Sequence, residues 1–367
     1  MTPQLRVIEV SGGPQERGRA HGEEARELIH DVIGRWHDDI ALDVGERVDS
    51  YFEEFLDTTD FRTAIRRWTP DLLEEVTGIA EGAGLSEPAC TAWQLLDEEW
   101  WYRERYVARR VDAAEHCSAA GGSASEGHRI IGQNMDIEAY HDGSQVLLHS
   151  RATGAVPESL VVTTAGMIGL TGLNRAGVGV CVNSLPELAP SPTGLPVAFV
   201  IRGVLACSTL GAAAEFLHSV AHASGQNYLV GSPSGIVDVE CSAGRAQELD
   251  TRAGRVVHTN HHLANDDLAT DRPSIATATH RSRRPPSTTR PRFELLAERL
   301  LDDSEPFSVE RLRDALCDRS TPVSVVPSGV GDFMTFASVV MDLSDEPVLH
   351  VAPGPPDHTS FETHTFE

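Results

Sequence analysis

The sequence predicts an α+β protein, because segments of helical and of strand periodicity follow one another in blocks. Apolar residues recur at helical spacing through about the first hundred residues. From residue 128 onward, short β-branched stretches predominate, and further helical segments interrupt them. Helices and strands in separate blocks favour layered α+β packing over a Rossmann-like alternation. No linker or internal repeat divides the chain, so residues 1–367 are expected to form a single domain.

The helices of the first third begin at recognisable signals. Thr69 followed by Pro70 is an N-cap and first-turn pair, and Ser86 with Pro88 opens another helix that the pattern extends towards Trp101. An earlier helix is predicted from apolar residues at helical spacing, namely Ala25, Leu28, Ile29, Val32, Ile33 and Trp36.

The rest of the chain is predicted to continue as strands, helices, strands, helices and strands. A polar turn at Asn174-Arg175 leads into one strand, and residues 264–291, rich in Thr, Ser, Arg and Pro, are predicted to form a long surface excursion. The predicted strands are 129–135, 145–150, 159–164, 178–183, 227–230, 236–241, 256–260, 336–342 and 347–351. The predicted later helices are 197–207, 210–221, 292–301 and 308–317.

Composition excludes several classes of function. The formal charge of −25, from 30 basic and 55 acidic residues, argues against nucleic acid or an anionic membrane as a partner. All basic residues are arginine, so a pyridoxal-binding or phosphate-loop lysine is excluded, and a nucleophile must be Cys, Ser, Thr or a carboxylate. The six cysteines form no CxxC pair. With neither a signal peptide nor a long apolar span in the sequence, a cytoplasmic location is expected.

The segment "EHCSAAGGSASEGHRIIGQNMD" is the most unusual in the chain. Cys117 directly precedes a run of small residues, which would allow another backbone or a ligand to come close. A predicted strand with a polar "GQNMD" end follows. On this segment alone, a buried structural cysteine beside a flexible loop is the favoured interpretation.

A second polar segment, "VVHTNHH", ends a predicted strand of β-branched residues. Polar groups at a strand end are common in functional sites, and a solvent-exposed polar turn is the alternative. His258, His261 and His262 could instead bind a metal, which would make the protein a metal-dependent hydrolase. The HxxxH spacing of His258 and His262 places two imidazoles on one face only in a helix, and this stretch is predicted as a strand end.

Taken together, these segments resemble the penicillin acyltransferase family of cysteine-type N-terminal nucleophile (Ntn) hydrolases. "GGPQERGRAHGEE", "HCSAA" followed by "GQNMD", "GLNRAGVGVCVNSL", "HTNHHL" and "FASVVMDL" are similar to family blocks in the same order. The resemblance implies a four-layer αββα sandwich. It also implies self-cleavage between His116 and Cys117, giving chains 1–116 and 117–367 that stay associated.

The implied chemistry is acyl transfer through a thioester on Cys117. The freed α-amino group, with a pKa of about 7.7–8.0, would serve as the base for its own thiol. By resemblance, Asn260 would donate to the oxyanion and Asp136 would hold the α-amino group. Gln133, Asn134, Thr259 and His261 would shape the site.

The resemblance further implies a small amide or acyl substrate, with an acyl-coenzyme A donor as an option for a transferase, and no cofactor or metal. Two departures bear on this. His116 stands where the family usually has glycine, so cleavage is expected to be slow. Fungal members have a site arginine in the C-terminal part, whereas this chain has no Arg or Lys after Arg319. Either an arginine from elsewhere in the chain substitutes, or the substrate differs, and neutral or cationic amides are expected over a penicillin-like substrate. A non-catalytic binding relative of the same fold is a further alternative.

Overall fold

The protein consists of two facing β-sheets with helices on their outer faces. A computed structural model describes residues 5–106, 117–124, 127–270, 287–327 and 333–366. The larger sheet has eight strands in the order β1-β4-β5-β6-β7-β8-β9-β10, with β1 parallel to β4 and the other neighbours antiparallel. These strands are β1 Arg6–Val10, β4 Gln145–Ser150, β5 Ser159–Thr164, β6 Thr171–Asn174, β7 Gly179–Ser184, β8 Gln226–Ser232, β9 Gly235–Cys241 and β10 Ala246–Glu248.

The smaller sheet has six antiparallel strands in the order β11-β2-β3-β12-β13-β14. They are β2 Ser118–Ser123, β3 Arg129–Glu138, β11 Val256–His258, β12 Phe333–Leu343, β13 Val348–Ala352 and β14 Glu362–Thr365. The two sheets pack face to face through β2 and β3 on one side and β7 and β8 on the other. Their inner faces contribute to the main apolar core.

Helices complete the outer layers. The N-terminal helices are α1 Pro14–Glu24, α2 Arg26–Val44, α3 Val48–Thr58, α4 Phe61–Trp68, α5 Pro70–Ala83, α6 Glu87–Trp93 and α7 Leu96–Tyr106. Two helices, α8 Val197–Leu205 and α9 Leu210–Ser219, cover the larger sheet, and α10 Thr289–Leu300 and α11 Val309–Leu316 cover the smaller one. The predicted α+β class and its four-layer αββα arrangement are therefore confirmed. In the described residues, every helix is too short or too polar to cross a membrane.

The N-terminal "GGPQERGRAHGEE" block is a packing motif. Gly18 lies so close to α5 that an added Cβ would stand 1.9 Å from the Glu75 carbonyl oxygen, so only glycine fits at this helix crossing. Beside it, the buried Glu75 carboxylate binds Arg17 at 3.3 Å and Arg202 at 2.7 Å. This ion cluster ties α1 and α5 to α8, and burial is tolerable because the Glu75 carboxylate pairs with both guanidinium groups.

Three sequence predictions are corrected by the fold. The helix expected from Ser86 towards Trp101 is two helices, because the buried Gln94 side chain at the break binds Gly166 O and Ile168 N, each at 2.8 Å. The small residues after Cys117 form strand β2, not a flexible loop. An added Cβ on Gly122 would stand 2.5 Å from the Phe307 ring, which explains why this strand needs small residues.

The strand predicted over 256–260 is also shorter than expected. It ends at His258, whose partner Ala119 lies near the start of β2, so Asn260 belongs to a loop. Most of the excursion predicted at 264–291 falls outside the described residues. Its last part, from Thr289, is the first turn of α10.

Candidate active site

Cys117 lies directly before β2, at the edge of the inter-sheet layer. Its Sγ is 3.5 Å from the backbone nitrogen of Asp136 and 3.7 Å from the backbone oxygen of the same residue, on neighbouring strand β3. Burial, together with the nearby Asp136 charge, raises the pKa of the thiol to about 12, and Arg292 only partly offsets these effects. In the uncut chain the thiol is therefore protonated at neutral pH.

The carboxyl group of Asp136 stands beside this thiol at an irregularity in the sheet. Asp136 is paired with Thr335, and the register with β12 shifts between Thr335 and Ala337. Such bulges re-aim side chains next to functional sites. Burial raises the pKa of the Asp136 carboxyl to about 7, which the Thr335 hydroxyl and the Arg292 guanidinium only partly counteract. A new positive charge at this position would stabilise the carboxylate form.

Asn260 is held on three sides in the loop after β11. Its backbone N–H donates to Thr289 Oγ1 at 2.8 Å, its Oδ1 accepts from the Arg292 guanidinium at 2.9 Å, and its Nδ2 donates to Ser184 O at 3.1 Å. Because a guanidinium can only donate, it fixes the oxygen side of the amide. Among the described residues Nδ2 donates to Ser184 O alone, which leaves its second N–H to donate to another group.

Arg292 is the site residue that sequence reasoning missed. It is fully buried in the first turn of α10, and its guanidinium donates to Cys117 O at 2.7 Å and Ser118 Oγ at 2.9 Å as well as to Asn260. Since the chain has no arginine after Arg319, a site arginine had to come from elsewhere in the chain, and the sequence pattern did not identify which one. A sequence signal was present, since Arg292 stands in helical register with the buried Leu296 and Leu300.

Asn183 is a second residue without an assigned role in the sequence-based interpretation. It lies on β7 between Val182, whose N–H donates to Gln133 Oε1 at 2.6 Å, and Ser184, whose oxygen accepts from Asn260. The Asn183 side chain is fully buried, and among the described residues neither of its amide atoms has a hydrogen-bond partner. The sequence did contain a signal for Asn183, because it is a polar residue at the end of an otherwise apolar predicted strand.

The residues expected to shape the site divide into two groups. Gln133 links the two sheets near the thiol, whereas Asn134 faces outward and donates to Leu316 O and Val323 O, both at 2.8 Å. Thr259 and His261 lie next to Asn260, and both contact Thr289 at the start of α10. Asn134 thus supports the outer helices and does not reach the thiol. His116, the expected residue before the cut, lies outside the described residues.

The three histidines proposed as metal ligands do not converge. His258 Nε2 lies 3.0 Å from Glu240 Oε1, His261 Nδ1 lies 3.0 Å from Thr289 Oγ1, and His262 Nδ1 lies 2.8 Å from Glu187 Oε2. Within the part of the chain that the structure describes, no group of three His, Cys, Asp or Glu is arranged to hold a metal ion. The donor geometry therefore gives the metal-dependent hydrolase no support.

The arrangement brings together the components of acyl transfer. A thiol, a carboxyl group and an amide donor meet around one arginine, which bridges the backbone of Cys117 to the side chain of Asn260. A nucleophilic sulfur can attack a carbonyl carbon, and an uncharged amide can stabilise the oxygen that becomes negative without itself titrating.

The sequence of this chain also matches known acyltransferases. The family model for acyl-coenzyme A:6-aminopenicillanic acid acyl-transferase matches residues 123–345. The chain is 28% identical over 264 residues to the acyl-coenzyme A:6-aminopenicillanic-acid-acyltransferase 40 kDa form of Emericella nidulans, covering 70% of each chain.

Similar solved structures include a mutant conjugated bile acid hydrolase from Clostridium perfringens, with a TM-score of 0.44 and 13% identity, covering 68% of this chain and 97% of that one. They also include penicillin V acylase from Agrobacterium tumefaciens, with a TM-score of 0.40 and 14% identity, covering 68% and 86%.

Proposed function

This chain belongs to the acyl-coenzyme A:6-aminopenicillanic acid acyl-transferase family, and we propose that it is a self-processing cysteine amidohydrolase or N-acyltransferase acting on a small amide. The observation that carries the proposal is the Arg292 bridge, which joins Cys117 to Asn260 in one buried site. Water and an amine compete for the same thioester, so hydrolysis and transfer share this site. The acyl-coenzyme A donor named for the Emericella relative is the donor to test first for transfer.

Processing would begin with the Cys117 thiol attacking the carbonyl carbon of His116. The thioester that forms is hydrolysed, which leaves His116 with a carboxyl group and Cys117 with a free α-amino group. In the mature enzyme the neutral amine would accept the thiol proton as sulfur attacks the substrate carbonyl. Asn260 would donate its remaining N–H to the oxyanion. The protonated α-amine would then give its proton to the departing amine as the C–N bond breaks, which leaves the acyl thioester on Cys117.

Mass spectrometry of the purified protein tests the processing step. Under denaturing conditions we expect pieces 1–116 and 117–367, the second beginning with Cys117. Activity in a chain that stays whole would rule out this mechanism, and an uncut, inactive chain would favour a non-catalytic binding relative.

We also propose that the two pieces stay associated after cleavage. Strand β1 belongs to the first piece and is hydrogen-bonded to β4 of the second, with Arg6 through Val10 in register. The buried Trp93 indole donates to Ala165 O at 3.0 Å across the same division. Native mass spectrometry should therefore show one species with the 39.7 kDa of the uncut chain plus the mass of one water.

Asp136→Asn should slow processing while the fold is kept. A carboxylate favours the protonated α-amine and so raises its pKa, which means that Asp136 positions the amine but does not activate it. Asparagine keeps the shape and removes the charge, and we expect cleavage to slow by about tenfold or more. The cleaved fraction over time on a denaturing gel measures this, with thermal unfolding as the check on folding. Normal cleavage together with normal turnover would contradict the role of Asp136.

The charge around the thiol supports a neutral or cationic substrate. Arg292 is buried and bound to protein groups, whereas the Asp97 carboxyl raises the pKa of the Cys117 thiol and is thus an acidic group near the site. Asp97 is connected to Asn260 through three contacts, which places it near the site. Its Oδ1 accepts from Gln226 Nε2 at 3.0 Å, Gln226 is paired with Ser184 across β8 and β7, and Ser184 O accepts from Asn260. Because burial raises the pKa of Asp97 itself, the expected preference rests mainly on Arg292, whose guanidinium is already bound to Cys117 O, Ser118 Oγ and Asn260 Oδ1.

Matched anilides test this preference. Hexanoyl, 6-aminohexanoyl and adipoyl 4-nitroanilides have similar length and differ in terminal charge. We expect kcat/KM for the adipoyl compound to be lower by about 10- to 100-fold, as for loss of a charge-assisted contact of about 1.5–3 kcal/mol. A preference for the adipoyl compound, or efficient use of isopenicillin N, would show that Arg292 or another arginine receives a substrate carboxylate.

A further inference from the structure

The loop that carries Asn260 rests on a buried carboxylate. Glu240 is the second-to-last residue of β9 and is fully buried. Its Oε1 accepts from His258 Nε2 at 3.0 Å and from the backbone N–H of Leu263. Its Oε2 accepts from the backbone N–H groups of Ala264 at 2.9 Å and Asn265 at 2.6 Å. One carboxylate thus holds the chain both before and after Asn260.

We propose that Glu240 is a positioning residue for acyl transfer, which holds the 258–265 loop so that the Asn260 amide faces the reacting carbonyl. The inference rests on the proposed function, because it requires Asn260 to be the oxyanion donor. Glu240 itself touches neither the substrate position nor the thiol. It acts through the backbone on both sides of Asn260.

A second set of contacts holds Asn260 from the opposite side. Thr289 and Arg292 of α10 bind its backbone N–H and its side-chain oxygen. Helix α10 covers the smaller sheet, whereas β9 belongs to the larger one. The amide is therefore clamped between the two sheets, and loss of the Glu240 anchor would leave the loop held only from the α10 side.

The electrostatics agree with a permanently charged anchor. Although burial alone would raise it, the pKa of Glu240 is lowered to about 2 by His258 and the loop N–H groups. Burial likewise opposes the charged form of His258, yet Glu240 and the nearby Asp238 raise its pKa above the usual value. Asp238 is in turn bound by Asn227 Nδ2 at 2.7 Å. A buried charge of this kind is costly to maintain unless its partners are all in place.

Glutamine cannot replace this carboxylate. The carboxylate accepts four donors through two oxygens, whereas an amide has one oxygen and presents N–H groups on its other side. In Glu240→Gln, the new amide N–H groups would point either at the backbone N–H groups of Ala264 and Asn265 or at the N–H groups of His258 and Leu263. Donor would then face donor. The loop must shift to relieve this contact, and Asn260 would shift with it.

A double-mutant cycle between Glu240 and Asn260 tests the proposal. The four processed proteins, wild type, Glu240→Gln, Asn260→Ala and the double variant, are acylated with 4-nitrophenyl acetate in single turnovers. 4-Nitrophenolate leaves as the acetyl thioester forms on Cys117. We expect Glu240→Gln to lower the maximal acylation rate about 10- to 100-fold, with half-saturation little changed. In the Asn260→Ala background the same change should cost less than about threefold.

Glu75→Gln is the matched control, since Glu75 is also a buried, ion-paired glutamate but lies between α1, α5 and α8. It should lower thermal stability and leave the acylation rate near that of the wild type. Should Glu240→Gln fail to fold, Glu240→Asp is the substitute, since it keeps both oxygens and the charge. We expect it to lower the acylation rate by a smaller factor, and this factor should again shrink in the Asn260→Ala variant.

The proposal would be overturned if Glu240→Gln lowered the acylation rate by the same factor with Asn260 present as in the Asn260→Ala variant. It would also be overturned if Glu75→Gln lowered the rate as much as Glu240→Gln. A near-normal rate in Asn260→Ala alone would instead overturn the oxyanion assignment of the proposed function, and this inference with it.

Discussion

Cys117→Ala should remain a single chain of residues 1–367 and lose activity by about 10⁵- to 10⁶-fold, as when a nucleophile is removed from a site that works as a unit. The same sulfur is expected to cut the chain and to carry the acyl group, so one substitution should abolish both events. A denaturing gel and turnover of the hexanoyl 4-nitroanilide measure the two effects independently.

Cys207→Ala is the control for this experiment. Cys207 is also partly buried, but its Sγ contacts only Gly203 O, at 3.4 Å, among the contacts described for it. We expect this variant to be cut and active. Turnover in Cys117→Ala would place the nucleophile elsewhere in the chain. Cleavage of Cys117→Ala would show that another group, or a contaminating protease, cuts the chain.

Asn260→Ala should be cut and fold normally, yet kcat should fall by about 10²- to 10³-fold, the range for loss of a single oxyanion donor. KM should change little, because the N–H bonds most strongly to the oxygen that becomes negative in the transition state. The substitution also removes the acceptor of Arg292 and the donor to Ser184, so thermal unfolding should be measured alongside.

His262→Ala serves as the matched control on the same loop. His262 is only partly buried, and its Nδ1 lies beside Glu187 rather than Arg292. Its loss should change kcat by less than about threefold, in line with other surface substitutions. Near-normal turnover in Asn260→Ala would contradict the oxyanion role. A large loss in His262→Ala, reversed by added zinc, would revive the metal-dependent alternative.

Much of the fold was predictable because its signals are local. The helix at Pro70 follows from a proline at its first position, and the turn after Asn174 from its turn residues. The structure confirms both, although among the described residues the Thr69 hydroxyl makes no capping hydrogen bond. Element ends were less predictable. Strand β11 stops at His258, which pairs with Ala119 near the start of β2, and the helix breaks at Gln94, whose side chain binds a distant loop. Strand β1, at the edge of the larger sheet, was not predicted at all.

The sequence alone determined the alternation of helical and strand blocks, the family resemblance and the segments containing Cys117, Asp136 and Asn260. The family and the four-layer fold are confirmed, while the roles of these residues stay predictions. Only the tertiary structure decided that Arg292 supplies the site's cation and that Glu240 anchors the loop. Periodicity and caps act over a few neighbouring residues, so a sequence displays them directly. The site is assembled where two sheets and a helix from separate parts of the chain meet, and those contacts exist only after the layers have packed.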